Sequence, residues 1–282
     1  MTSLIPAWSE SFHDGGPGDA PALHLGVPIT REWAYGTGDG AGVTVAVVDS
    51  GVDGSHPLLA GTVDRYIAVE VDANEPDGVR FVEGEHDDLF GHGTACAAII
   101  RSLAPAARLI SVRVLGGNLK GSAFAFAHGL DWCIENGVDV VNLSLSTTNE
   151  DYLTTFYDLV DQAVFKRMMV VSAMNNERKR SIPSEFAGVF SVACAPTTDR
   201  EQLWCNPTAP AEWGAAGVDV DVAWAAGATI TASGNSFAAP VITGHIARII
   251  AAHPGLTTWQ VRTILAALAQ NAPPVDAGSS SP

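Results

Sequence analysis

Six short apolar runs, rich in β-branched residues and separated by helix-like segments, constrain this chain more than any other feature. Residues 43–48 read Val-Thr-Val-Ala-Val-Val. A strand of that composition does not alternate cleanly between apolar and polar positions, so it must be buried on both faces. Runs of the same kind recur at 108–114, 138–145, 168–172, 189–194 and 218–223. Between them, residues 94–103, 122–136 and 152–167 read as helices, the first ended near Pro105 and the second by Asn136-Gly137. Strands alternating with helices imply an α/β fold, a doubly wound and mainly parallel sheet with helices on both faces. Ligands of such sheets bind at the carboxyl ends of the strands. The residues that close each run are therefore the first candidates for chemistry.

Composition narrows the function classes. The chain has 282 residues, of which 47% are hydrophobic and 16% charged, enough for a large core and too apolar for disorder. Asp plus Glu outnumber Lys plus Arg by 31 to 15, a net charge of −16. Nucleic acid and anionic lipid are poor partners for such a chain, because phosphate contacts need clustered cations. No apolar run reaches the ~18–20 residues that span a bilayer. The opening stretch, MTSLIPAWSESFHDGG, has no basic leader and no long apolar run, so a cytoplasmic location is expected. Four cysteines are too few for a disulfide framework. Cys96 and Cys133 fall in apolar runs and read as small core residues. Cys194 and Cys205 lack the C-x-x-C spacing of a zinc knuckle, and a disulfide between them stays open.

Residues 1–40 are rich in Gly, Pro and polar side chains and read as an extended arm. The domain reading places an N-terminal arm at 1–24, one folded domain at 25–271 and a flexible tail at 272–282. Residues 70–90 read as an acidic loop carrying Glu70, Asp72, Glu75, Asp77, Glu83, Glu85, Asp87 and Asp88. Either they form a solvated loop or they bind calcium, although the spacing fits no EF-hand. There is no internal repeat.

Three segments carry chemistry. In Val47-Val48-Asp49-Ser50-Gly51, an aspartate stands at the end of a buried strand. In Gly91-His92-Gly93-Thr94, a histidine between glycines opens a small-residue helix. In Gly234-Asn235-Ser236-Phe237-Ala238-Ala239-Pro240, a serine opens an apolar helix running to about Ala252. A serine hydroxyl is a weak nucleophile and needs a base within reach. Histidine supplies that base near neutral pH, and a buried aspartate fixes its tautomer. A helix N-terminus offers unpaired N–H groups to an oxyanion. Glycines beside His92 would let a substrate backbone approach closely. Pro240 is tolerated only near a helix start, which pins the first turn close to Ser236.

The order Asp, His, Ser, with gaps of 43 and 144 residues, is the subtilisin order. With the stretches VAVVDSGVDGSHP, GHGTACAAII, GVDVVNLSLS and GNSFAAPVITGHIA, the chain resembles the subtilisin-like serine peptidases over about residues 25–270. The resemblance implies Asp49 as orienter, His92 as general base and acid, and Ser236 as nucleophile. It also implies Asn176 as the side-chain donor of the oxyanion hole, with Asn175 where the family usually has glycine. Asn235 stands where threonine is usual and Phe237 where methionine is frequent. Substrate would pair as an extended strand between Leu119-Lys120-Gly121 and Ser144-Leu145-Ser146. The pocket for the residue before the cut would be walled by 144–146, Ala173-Met174-Asn175 and the loop after Glu177. Ser146 in place of a common glycine narrows that pocket. Arg178-Lys179-Arg180 could favour acidic substrate groups, the plainer reading being a solvated basic turn.

The resemblance implies no cofactor for catalysis. Structural calcium is frequent in the family, and the stretch 70–90 is its one candidate site here. The expected partner is a polypeptide substrate, hydrolysed either in general intracellular turnover or in maturation of a precursor peptide. Leu4-Ile5-Pro6-Ala7-Trp8 is similar to the arm with which intracellular subtilisins block their own cleft, which implies self-inhibition. Two alternatives stay open at this point. One is a catalytically silent fold used to bind peptides. The other is an esterase or ligase using the same acyl-enzyme.

Overall fold

A computed structural model describes residues 5–13, 16, 18, 28–59, 61–208 and 210–273. Of the expected arm, residues 1–4, 14–15, 17 and 19–24 lie outside the described residues, as do 274–282 of the expected tail.

The centre of the fold is a nine-stranded sheet. In chain order its strands are β1 (Thr44–Asp49), β2 (Val63–Val71), β3 (Val79–Glu83), β4 (Arg108–Arg113), β5 (Val140–Leu143), β6 (Met169–Ala173), β7 (Phe190–Cys194), β8 (Trp204–Cys205) and β9 (Trp213–Ala215). Their order across the sheet is β3-β2-β4-β1-β5-β6-β7-β9-β8. The seven strands from β2 to β9 pair in parallel, and only the outermost β3 and β8 run antiparallel to their neighbours. The apolar runs thus form the mainly parallel sheet that their composition implies.

Helices cover both faces. Val45 and Val47 point into a core shared with α3 (His92–Leu103), α6 (Asn235–Ala252) and α7 (Thr258–Leu268). Ala46 and Val48, the alternate positions of the same strand, point into a second core with α4 (Ala123–Glu135) and α5 (Leu153–Phe165). Burial of each such valine contributes roughly 1.5–3 kcal/mol, which explains why β1 has no polar face. Local chemistry sets the helix starts. The Ser122 hydroxyl accepts from the Ala125 N–H at 3.0 Å ahead of α4, and Thr257 forms a reciprocal cap with Gln260 ahead of α7.

Three readings need correction. Residues 70–90 are not one loop, because β2 and β3 form an antiparallel hairpin that pairs Ile67 with Glu83 and Val71 with Val79. Of the acidic residues, Glu70 and Glu83 lie on this edge ribbon, where charge is tolerated and blunts edge pairing, and the others lie in the turn between the strands or after β3. Residues 218–223 do not join the main sheet. β10 (Val220–Trp224) pairs only with β11 (Ala228–Ala232), as a separate antiparallel ribbon. The stretch 1–40 contains two short helices, α1 (Glu10–His13) and α2 (Arg31–Tyr35), and Phe12 is fully buried.

Candidate active site

Three central neighbours of the sheet, β1, β5 and β6, end at the same edge, since Val48 pairs with Leu143 and Leu143 with Ser172. Asp49 closes β1, Ser144 follows β5, and Asn175 and Asn176 follow β6. Residues about 30 to 130 positions apart in the chain therefore converge by strand order alone.

Asp49 is fully buried, and both of its carboxylate oxygens lie 2.9 Å from Nδ1 of His92. Oδ1 also accepts the Ser50 N–H at 2.7 Å, which fixes the carboxylate plane. Burial works against a charged imidazole, but the Asp49 carboxylate outweighs it. The proton affinity of His92 is raised well above the ordinary value.

His92 is the first residue of α3, and the start of that helix is held by a residue that pattern reading passed over. Asp88 accepts from the N–H groups of Phe90, Gly91 and Thr94 at 3.0, 2.7 and 2.8 Å, and from the Ser50 and Thr94 hydroxyls at 2.8 and 2.6 Å. A carboxylate so placed satisfies helix-start donors and complements the helix dipole. The flanking glycines serve packing rather than substrate approach. A Cβ on Gly93 would lie 2.0 Å from the Gly51 carbonyl oxygen and 3.1 Å from Asp49 Cβ. Gly91, at φ +114°, lies against Trp224 and Ala225. Glycine at 93 thus lets α3 approach the turn after β1 closely enough for the His92–Asp49 bond.

Ser236 sits in the first turn of α6, after Gly234. Pro240, four residues on, has no N–H to give the Ser236 carbonyl. The Ser144 hydroxyl donates to it instead, at 2.7 Å, while accepting from Asn142 Nδ2 at 2.9 Å. Ser144 therefore ties the end of β5 to the serine turn, in addition to lining the cleft. A proline four residues after a serine leaves a carbonyl in need of a donor, which was the available sequence signal. No hydrogen bond joins Ser236 Oγ to His92, a looseness common in free sites.

Asn176 Oδ1 accepts the Asn235 N–H at 2.9 Å, which turns its Nδ2 donor outward. An ideal Cβ on Gly234 would lie 3.2 Å from Ser236 Oγ and 3.5 Å from Asn176 Nδ2, so the two groups face one small space. Asn175 does not take a positive φ. Its N–H donates to the Ser181 hydroxyl, and its side-chain oxygen accepts from the Glu177 N–H, both at 2.9 Å. The turn therefore has no need of the glycine usual at that position.

A cleft of about 790 Å³ is lined by His92, Lys120, Gly121, Ser144, Leu145, Ser146, Ala173, Asn175, Asn176 and Ser236. Asp49 lies behind it, so all the candidate residues meet at one place. Met174, in the expected wall 173–175, also lines it, as do Leu115 and Phe126, which sequence reading did not single out.

The three cations after Glu177 are all paired: Arg178 with Glu10 at 3.1 Å, Lys179 with Glu177, and Arg180 with Glu185 at 3.0 Å. All three side chains are exposed, and this surface pairing supports the plainer reading of a solvated basic turn. All four cysteines are unpaired and buried, so Cys194 and Cys205 form no disulfide. Among the described residues, the stretch 70–90 gathers no group of three metal-ligating side chains. Glu70 pairs with Arg80, Glu83 with Arg65, and Asp88 is used on α3. Among the described residues the one cluster of three metal-ligating side chains is Asp49, His92 and Cys96, which the His92–Asp49 bond already occupies. No helix among the described residues is long and apolar enough to cross a membrane.

The chain is similar to known proteins over most of its length. Subtilisin E of Bacillus subtilis (strain 168) is 29% identical over 261 residues, which cover 86% of this chain and 62% of the relative. The chain thus spans less than two thirds of that relative's length. Subtilisin Savinase of Lederbergia lenta is 30% identical over 239 residues, covering 80% of this chain and 82% of the relative. The crystal structure of a cold adapted subtilisin-like serine proteinase superposes with a TM-score of 0.62 at 24% identity, over 87% of this chain and 86% of that one. The profile of the subtilase family matches residues 40–281. With an Asp49–His92 pair, a serine at a helix start beside it and that match, the chain belongs to the subtilase family.

Proposed function

We propose that this chain is a serine endopeptidase. The observation that carries the reading is the convergence of the Asp49–His92 pair, Ser236 and the outward amide of Asn176 on one cleft. In the proposed reaction His92 Nε2 takes the Ser236 hydroxyl proton as Oγ bonds to the scissile carbonyl carbon. The resulting oxyanion receives hydrogen bonds from Asn176 Nδ2 and from the Ser236 N–H, whose place in the first helical turn leaves it without an intrahelical partner. The C–N bond breaks, and the leaving amine takes the proton from His92. Water then hydrolyses the Ser236 ester by the same steps in reverse order.

The lining of the cleft supports an extended polypeptide as substrate, with main-chain edges at 119–121 and 144–146 on its two sides. We further propose a dedicated role, maturation of a precursor peptide, over general turnover. Ser146 on the cleft wall, where the resembling family commonly has glycine, supports a narrowed pocket. Incubation with a mixed peptide library tests both statements. Internal cleavage after a restricted set of residues is the expected result, and broad cleavage would favour general turnover. Joined peptides would move the assignment to a ligase.

The pH dependence follows from His92. Catalysis needs it neutral, and its proton affinity is raised above the ordinary 6.5. kcat/KM is therefore expected to climb tenfold per pH unit on the acid side and to level off through a midpoint above 6.5. A midpoint below that value would show that Asp49 does not hold the imidazolium as the geometry implies.

A further inference from the structure

Residues 5–13 are not among those that line the cleft, and Leu4 of the expected inhibitory motif lies outside the described residues. They dock behind the turn that carries Asn176. The Ala7 N–H donates to the Asn176 carbonyl oxygen at 2.7 Å, and Phe12 is buried beside Met174, Ala193, Ala195 and Ala211. A Cβ on Gly214 would lie 2.5 Å from the Phe12 ring, so this seat is shaped for an aromatic side chain. Glu10 pairs with Arg178 at 3.1 Å, two residues past Asn176.

Asn235 joins the segment to the site. It is fully buried, and its side chain is saturated. Oδ1 accepts from the Ser9 hydroxyl at 2.9 Å and from the Cys194 N–H at 3.0 Å. Nδ2 donates to the carbonyls of Ala7 at 3.0 Å and Met174 at 3.2 Å. Its backbone N–H holds Asn176 Oδ1 at 2.9 Å. Threonine has one hydroxyl donor and a shorter reach, so it could not serve Ala7 and Met174 at once. The asparagine at this position and the docked segment make sense only together.

We propose that Asn235 is a positioning residue through which residues 5–13 brace the oxyanion turn, making the segment a support for the site rather than a plug. The proposal rests on the serine-peptidase reading. Asn176 is held from both sides, by Ala7 at its carbonyl and by Asn235 at its side-chain oxygen. Its Nδ2 is thereby fixed in the direction of Ser236. Displacement of such a donor by about 1 Å is enough to cost up to ~10²-fold in rate.

The test measures the rate at which a fluorophosphonate labels Ser236 in the full chain, for wild type, Asn235→Thr, Asn176→Ala and the double variant. Asn176→Ala is expected to slow labelling by about 10²–10³-fold, a magnitude carried over from subtilisin. Asn235→Thr is expected to slow it by about 10–100-fold. The double variant is expected to match Asn176→Ala alone, because the brace acts through that amide. With any peptide cleaved by the wild type, Asn235→Thr is expected to lower kcat and leave KM unchanged. Should Asn235→Thr fail to fold by circular dichroism, Ser9→Ala carries the same comparison, since it removes one donor to Asn235 while the Cys194 N–H, which Ser9 Oγ accepts at 3.1 Å, keeps Asn235 Oδ1 as its acceptor. Labelling at the wild-type rate would overturn the proposal. So would a double variant slowed by the product of the two single effects, which marks a general structural loss. Faster labelling would overturn it in favour of self-inhibition. An unlabelled wild type would instead overturn the peptidase reading on which the proposal rests.

Discussion

Replacing His92 by alanine is expected to lower kcat by about 10⁶-fold, as much as loss of the Ser236 hydroxyl itself. The magnitude is that of subtilisin, where loss of the histidine or of the serine costs about as much as loss of the whole triad. The physical reason is shared. Ser236 Oγ cannot leave its proton in a half-buried site without an acceptor, and the raised proton affinity of His92 makes it a strong one. The residual rate would come from the oxyanion donors and from substrate binding, neither of which His92 provides. Adding Ser236→Ala to His92→Ala is therefore expected to cost little more. Steady-state kinetics on a peptide cleaved by the wild type would measure this, and a loss under tenfold would place the base elsewhere.

Asp49→Asn is expected to cost about 10⁴ in kcat with KM little changed. Asparagine keeps the shape of the side chain and can keep the bond to the Ser50 N–H through Oδ1. Its amide nitrogen, however, meets His92 Nδ1 as a donor. The imidazole is then driven to carry its proton on Nε2, where it can no longer accept one from Ser236. The negative charge that holds the imidazolium is lost as well. Unchanged thermal unfolding beside a large kinetic loss is the expected pair of results. A loss under tenfold would mean that the two 2.9 Å contacts do not set the tautomer.

The features legible in the sequence are those that local chemistry encodes. The β-branched run of β1 announces a strand buried on both faces, so Asp49 at its end falls at the ligand edge of the sheet. His92 and Ser236 stand at helix starts marked by glycine on one side and small residues on the other. The hidden features depend on contacts between distant positions. Asp88 looked like one more acid in an acidic stretch, and its capping of α3 shows only once β1 and α3 lie side by side. The β2–β3 hairpin was masked because edge strands tolerate the charges that otherwise signal a loop. The docking of residues 5–13 spans 226 positions between Ser9 and Asn235, and no periodicity reports such a pairing. Asn235 itself was visible as a departure from threonine, but its meaning lay in the segment that it holds.

The central claim is an activated nucleophile at Ser236, and intact-mass spectrometry after fluorophosphonate treatment tests it most directly. The wild-type chain is predicted to gain the mass of one phosphonyl adduct, and Ser236→Ala to gain none. An adduct that persists in Ser236→Ala, or a folded wild-type chain that takes up none, would contradict the account.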